Sequence, residues 1–247
     1  MEAMTSSVFF ELCVESLDAG RAAQAAGADR IELCSQLDRG GVTPSAELKA
    51  GHLRSLTIPV YVLIRPRSGD FCYSAEEFDL MRRQVEQAKD AGAGGIAVGV
   101  LHKNGRVDVE RTRALVELSR PLAVTFHRAF DETPDLEEAL EHVIEAGADN
   151  LLTSGGASDV LSGAEFIKTL RDQAGEQIHI IAGGGLRLES LVEVVRRAGI
   201  YSLHGSLTRK NGHHANGNGS SLESDVREAI RLLNAEYSAA LAPTLKN

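Results

Sequence analysis

The tripeptide Glu-Leu-Cys occurs twice near the start of the chain, at Glu11-Leu12-Cys13 and Glu32-Leu33-Cys34. In each copy the carboxylate and the thiol stand two residues apart, so an extended backbone turns both to one face. Thiolates on neighbouring strands, which run ~4.8 Å apart, can share a soft monovalent ion such as Cu(I). Cys13 and Cys34 are therefore candidate metal ligands. Free cysteine is also among the most buried residue types, so the pair could equally fill space. Glu11, Glu15 and Glu32 oppose thiolate formation unless Arg65 and His127 offset them.

A second set of residues lies at the ends of other apolar runs: Arg65, Thr125-Phe126-His127-Arg128, Thr153-Ser154 and His204-Gly205-Ser206. Glu32 and His127 have the chemistry of a proton-moving pair, with Arg65 holding a carboxylate or a developing negative charge. Glu32, His127 and His204 could instead take a harder divalent ion, and a hydrogen-bonded structural network around Arg65 is a third reading. Under any of these, Arg65 is expected to stand among Glu11, Glu32 and Glu15 as their fixed cation. The run Ala182-Gly183-Gly184-Gly185-Leu186-Arg187 is either a tight turn or an anion cradle in which Gly183, Gly184 and Gly185, with Ser206, approach a phosphate. Cys72 reads as an incidental loop residue, and His213-His214 as a solvated loop.

These residues need elements to carry them. Ala-Gly-Ala occurs at Ala26-Gly27-Ala28, Ala91-Gly92-Ala93 and Ala146-Gly147-Ala148, with a weaker copy at Ala198-Gly199-Ile200. Each copy follows a helical pattern and precedes an apolar run, so each glycine reads as a left-handed helix cap leading into a strand. The expected strands cover residues 8–14, 30–34, 59–65, 95–100, 122–128, 150–154, 178–183 and 201–206. Between them, residues 76–91 place Phe78, Met81, Val85 and Ala88 on one helical face, and residues 136–146 do the same with Leu136, Leu140, Val143 and Ile144. Eight such units in one chain predict a single-domain (β/α)8 TIM barrel over residues 1–247, with its polar residues gathered at the carboxyl ends of the strands. An open doubly wound sheet is the rival, but Glu15-Ser16-Leu17-Asp18 stands where its glycine-rich turn would be. None of the eight strands carries a lysine, which argues against a Schiff-base aldolase.

Composition narrows the function further. The 247 residues carry 26 Lys plus Arg against 35 Asp plus Glu, a net charge of −9 that disfavours nucleic acid and anionic membrane surfaces as partners. No apolar run approaches the ~20 residues of a membrane span. The three cysteines read as reduced thiols in the cytoplasm. Residues 212–221 are low in complexity and fall inside the last crossover.

Five segments then show a resemblance: Gly27-Ala28-Asp29-Arg30-Ile31-Glu32-Leu33-Cys34, Gly40-Gly41-Val42-Thr43-Pro44-Ser45, Ile64-Arg65-Pro66-Arg67-Ser68-Gly69-Asp70-Phe71, Val124-Thr125-Phe126-His127-Arg128-Ala129-Phe130-Asp131 and Leu152-Thr153-Ser154-Gly155. In this order they closely resemble the CutC family, named as copper homeostasis proteins. The resemblance spans residues 9–207 and implies a cytoplasmic (β/α)8 barrel, a Cu(I) site at Cys13 and Cys34, and a homo-oligomer. The chain departs from the family at residues 209–214, Arg-Lys-Asn-Gly-His-His, where many members carry a Ser-Gly-Met-like segment, and at Ser68, commonly Gly. The first departure bears on any lid or anion contact from that segment. The leading expectation is a cytosolic Cu(I)-binding protein; the alternative is a barrel enzyme acting on a small anionic or phosphorylated metabolite.

Overall fold

A computed structural model describes residues 8–207 and 219–242. Eight parallel strands, β1 (Phe9–Val14), β2 (Arg30–Leu33), β3 (Val60–Leu63), β4 (Gly95–Val98), β5 (Ala123–Phe126), β6 (Asn150–Thr153), β7 (His179–Gly183) and β8 (Ser202–Gly205), pair in chain order, and β8 closes on β1. The helices are α1 (Leu17–Ala26), α2 (Ala46–Ser55), α3 (Ala75–Asp90), α4 (Val109–Ser119), α5 (Leu136–Glu145), α6 (Ala164–Ala174), α7 (Leu191–Ala198) and α8 (Gly219–Leu241). This is the expected (β/α)8 barrel. The observed strands are mostly one or two residues shorter at each end than the apolar runs. The surplus residues at their carboxyl ends, among them Cys34, Arg65, His127, Ser154 and Ser206, lie past the paired segments where the chain turns toward the next helix.

Local chemistry explains the units. The four repeated glycines take positive φ, 92° at Gly27, 84° at Gly92 and Gly147 and 63° at Gly199, the conformation that lets a helix stop and the chain turn into the sheet. Ser74 caps α3 in a full capping box with Glu77, and Asp135 caps α5 through Glu138 N. Met81, Val85 and Ala88 of α3 and Leu140 and Val143 of α5 are buried on the faces that their spacing marks, with Phe78, Leu136 and Ile144 packed at the margin. α8 returns the chain against α1 and α7. Among the described residues no helix is long and apolar enough to cross a membrane.

The strand register decides what faces inward. Leu12, Ile31, Val62, Ile96, Val124, Leu151, Ile180 and Leu203, one from each strand, pack into the main apolar core beneath the helices. Burying each such side chain contributes about 1.5–3 kcal/mol. The alternate set lines the interior and includes Glu11, Cys13, Arg30, Glu32, Tyr61, Thr125, Asn150, His179 and His204 beside the apolar Leu63, Ala97, Leu152 and Ile181. Small residues on β4 make room in it. A Cβ on Gly95 would lie 2.3 Å from the Tyr61 ring, and one on Gly99, just past β4, 2.4 Å from the His127 ring. Branched apolar residues dominate the interior of most such barrels; here charged and polar groups take many of those positions.

Candidate functional site

Cys13 on β1 and Cys34 just past β2 bring their Sγ atoms to 3.3 Å, both reduced and buried. The Cys13 Sγ also donates to Glu32 Oε1 at 3.6 Å. Leu63, Ala97 and Leu37 pack around the two cysteines as a small apolar patch separate from the main core. Gly41 approaches from the loop above: at φ 80° an added Cβ would sit 2.8 Å from Leu63 and 3.5 Å from the Cys34 Cβ. The Cys13 thiol is raised well above its ordinary value by its hydrogen bond with Cys34, by burial, and by the nearby Cys34, Glu32 and Glu11. The resting pair is therefore protonated at Cys13, as the neighbouring carboxylates led one to expect.

One layer deeper lies a chain of charges. Glu11, 1 % exposed, accepts from the Arg30 Nε through one oxygen and bonds His204 Nδ1 at 2.7 Å through the other. The Arg30 guanidinium stacks over the Tyr61 ring at 3.8 Å and the Phe9 ring at 4.7 Å, which holds its plane against the carboxylate. Burial pushes the Glu11 carboxyl up, but Arg30 and His204 outweigh it and hold it at about 2. Burial lowers His204, yet its hydrogen bond to Glu11 and the charges of Glu32 and Glu11 leave it above its usual value. Glu32, 5 % exposed, is raised chiefly by burial. One atom each from Cys13, Glu32 and His204 fall within 4.8 Å of one another, a donor set able to hold a metal ion.

Arg65 does not occupy the place expected of it. Its guanidinium donates to the carbonyls of Arg39, Gly40, Gly41 and Gly69, and its ring contact is Phe71 at 4.7 Å. It ties two mouth loops together through neutral carbonyls, and the fixed cation among the carboxylates is Arg30. The reason is reach: Arg65 follows the end of β3 at the rim, whereas Arg30 opens β2 directly beside Glu11 in the register. As a divalent-ion set, Glu32, His127 and His204 do not come together. The imidazole of His127 packs on Phe71 at 5.1 Å and takes Ala129 N–H on Nδ1, and Cys13 stands in its place beside Glu32 and His204. Burial, then the Arg65 charge, lowers His127 to about 3, so it is a neutral imidazole bearing its proton on Nε2.

At the opposite rim, Asp131 gathers hydrogen bonds from Thr153 Oγ1 at 2.5 Å, Ser154 N, Ser154 Oγ, Gly156 N and Arg128 Nε. The glycine run after β7 leans on this network. Gly184 at φ 110° would bring a Cβ to 2.8 Å from the Arg128 guanidinium, and Gly183 packs against Leu152 and His204. Gly185, at φ 65°, approaches Asp159. The sequence reading did not single out Arg30, Tyr61 or Asp131. Arg30 was findable, since it precedes Glu32 by two residues and must share its face. Cys72 lies half-buried in its loop, and His213, His214 and the departure at 209–214 fall outside the described residues.

The sequence model of the CutC family matches residues 8–209. The chain belongs to the CutC family. A CutC family protein of Caulobacter vibrioides is 46% identical over 199 residues, 81% of each chain. The human copper homeostasis protein cutC homolog is 42% identical over 204 residues, 82% of this chain and 75% of its own. A solved CutC structure from Streptococcus agalactiae superposes with a TM-score of 0.76 at 28% identity, covering 81% of this chain and 99% of that one. A structure described as native KDPGal, at 16% identity and a TM-score of 0.63, covers 96% of this chain and shares the fold alone. Placed in CutC, the two Glu-Leu-Cys copies, the Arg65 loop and the His127 to Asp131 segment all lie inside the matched span.

Proposed function

We propose that this CutC protein serves copper homeostasis in the cytosol by holding Cu(I) between Cys13 and Cys34. The observation that carries the reading is the pair of reduced sulfurs 3.3 Å apart on neighbouring interior positions, in a small apolar patch that keeps water off a redox-active ion. Soft thiolates favour Cu(I) over the harder cations of a cell. Metal–sulfur bonds of about 2.3 Å would subtend roughly 90° at an ion between sulfurs this close, so a linear site requires the sulfurs to part to about 4.6 Å. Loading as a dithiolate displaces the thiol protons, the Cys13 proton being held above its ordinary range, and apparent affinity therefore rises with pH. The working unit in this reading is a homo-oligomer, and light scattering that finds monomers alone removes that part. Anaerobic titration of reduced protein with Cu(I) against a competing chelator tests the site: Cys13→Ser and Cys34→Ser each weaken binding, and equal affinity in wild type and the double variant refutes it.

A specific observation also favours the enzymatic alternative. Arg65 Nε, Thr125 Oγ1, His127 Nε2 and Glu32 Oε2 are buried polar atoms without a hydrogen-bond partner, on or just past the carboxyl ends of β2, β3 and β5. Three of them offer donors to the oxygens of a small anionic metabolite, and Glu32 offers a base, roles in which Glu32, His127 and Arg65 would be catalytic. Gly183, Gly184, Gly185 and Ser206, with Arg128 beside Gly184, would take the anionic end. Inorganic phosphate that raises the melting temperature of wild type but not of Arg128→Ala supports this reading; no shift in either disfavours it.

A further inference from the structure

We propose a second metal site in the barrel, a divalent-cation centre made by Cys13 Sγ, Glu32 and His204 Nε2, which shares Cys13 with the copper pair and competes with it. It deepens the metal-binding reading above and involves residues that a dithiolate copper site does not use. Three observations carry it. The donor atoms of the three residues lie within 4.8 Å of one another, and each comes from a different strand of the closed β8-β1-β2 segment. Glu32 is buried at 5 % exposure, and its Oε2 has no hydrogen-bond partner although its other oxygen is taken by Cys13. An unpaired carboxylate oxygen so enclosed costs free energy that a cation beside it would recover.

The third observation is the way His204 is held. Its Nδ1 bonds Glu11 at 2.7 Å, and that carboxylate is itself fixed by Arg30. A carboxylate on the far nitrogen is the usual support of a metal-binding imidazole: it sets the ring orientation, directs Nε2 to the ion and makes it a better donor. Thiolate, carboxylate and imidazole together form the mixed donor set of a borderline ion of the zinc class.

Charge decides between the two sites in this shared space. A divalent ion with the Cys13 thiolate and the Glu32 carboxylate sums to zero, and the Glu11–Arg30 pair beside it is also neutral. A monovalent ion with two thiolates carries one negative charge, in contact with an ionisable Glu32. Buried charge is costly when uncompensated, so the carboxylate-rich side of the barrel suits the divalent ion, while the softness of two sulfurs suits the monovalent one. Divalent loading exchanges the ion for the protons carried by the Cys13 thiol and the Glu32 carboxyl, with no change of oxidation state.

Co2+ added alone to reduced full-length protein under nitrogen is a spectroscopic probe of this centre. Wild type is expected to bind one Co2+ per chain with a thiolate-to-metal charge-transfer band, and Cys34→Ser to keep it. Cys13→Ser should lose the band, and Glu32→Gln and His204→Gln should each weaken binding at least tenfold. The glutamine at position 204 retains a donor for Glu11, and near-ultraviolet circular dichroism confirms that each variant is folded. Cu(I) affinity measured on the same variants separates the two readings: Glu32→Gln and His204→Gln should retain Cu(I) binding that Cys34→Ser loses. Absence of a Co2+ band in wild type overturns the divalent site. So does a band that Cys34→Ser abolishes while Glu32→Gln leaves it intact, since Co2+ would then sit on the thiol pair.

Discussion

Asp131 at the β5–β6 rim receives hydrogen bonds from two hydroxyls, two backbone amides and the Arg128 guanidinium. Glu32, buried on the β1–β2 side, accepts one weak bond from a thiol and leaves an oxygen unpaired. The first is saturated with hydrogen bonds and the second keeps one oxygen unpaired. The difference locates binding chemistry by what is missing: saturated polar groups hold loops in place, and orphaned ones mark where another molecule or ion belongs.

Substitutions can break or sharpen this contrast. The largest effect is expected from Arg30→Met, which strands the Glu11 carboxylate in the interior and should cost roughly 3–5 kcal/mol at pH 7 by urea denaturation. Its pH dependence follows from Glu11. Because the folded pKa is depressed to about 2, the stabilisation is complete above the usual carboxylate range and is lost as pH falls from about 4.5 toward 2. Wild type should lose that stability over this window, and the gap to Arg30→Met should close there.

Next comes Asp131→Asn, which replaces an acceptor of five hydrogen bonds by a group that meets some of those donors with its own N–H. A loss of about 2–3 kcal/mol is expected, together with faster hydrogen exchange at Ser154 and Gly156. Arg65→Lys should cost about 1–2 kcal/mol, because one ammonium cannot reach the carbonyls of two loops as the planar fork does. With no carboxylate among those partners, the cost should be the same at pH 7 and pH 5. A cost that shrinks in acid would return Arg65 to the carboxylate cluster.

The smallest effect belongs to Glu32→Gln. Burial raises the Glu32 pKa, so its folded carboxyl resists ionisation and its contribution becomes less favourable as pH rises through the ordinary carboxylate range toward the raised value. The neutral isostere removes that penalty, and its stability at pH 7 should fall within about 1 kcal/mol of wild type or above it. A large loss would place Glu32 with Asp131 as a structural carboxylate.

Much of this was legible in the residues alone. Helix stops at Gly27, Gly92, Gly147 and Gly199 gave the barrel, because each needs a left-handed cap that few other residues take without strain. Period-two alternation put Glu11 with Cys13 and Glu32 with Cys34 on the interior face, and the 3.3 Å sulfur contact follows from that. Two things resisted. Arg65 and His127 lie past the paired strands, where alternation no longer fixes direction, so their partners depend on loop geometry. By its pattern Arg30 merely opens a strand; only the closed register, which sets Glu11 beside both Arg30 and His204, reveals that one carboxylate joins two strands that are far apart in sequence.

The central claim, that the two interior cysteines hold copper, is tested most directly by X-ray absorption at the copper edge of protein loaded anaerobically with one equivalent of Cu(I). The account predicts two sulfur neighbours in the first shell of wild type and the loss of both with the Cys13→Ser, Cys34→Ser double variant. A first shell of nitrogen and oxygen in wild type, or sulfur neighbours that persist in the double variant, would contradict it.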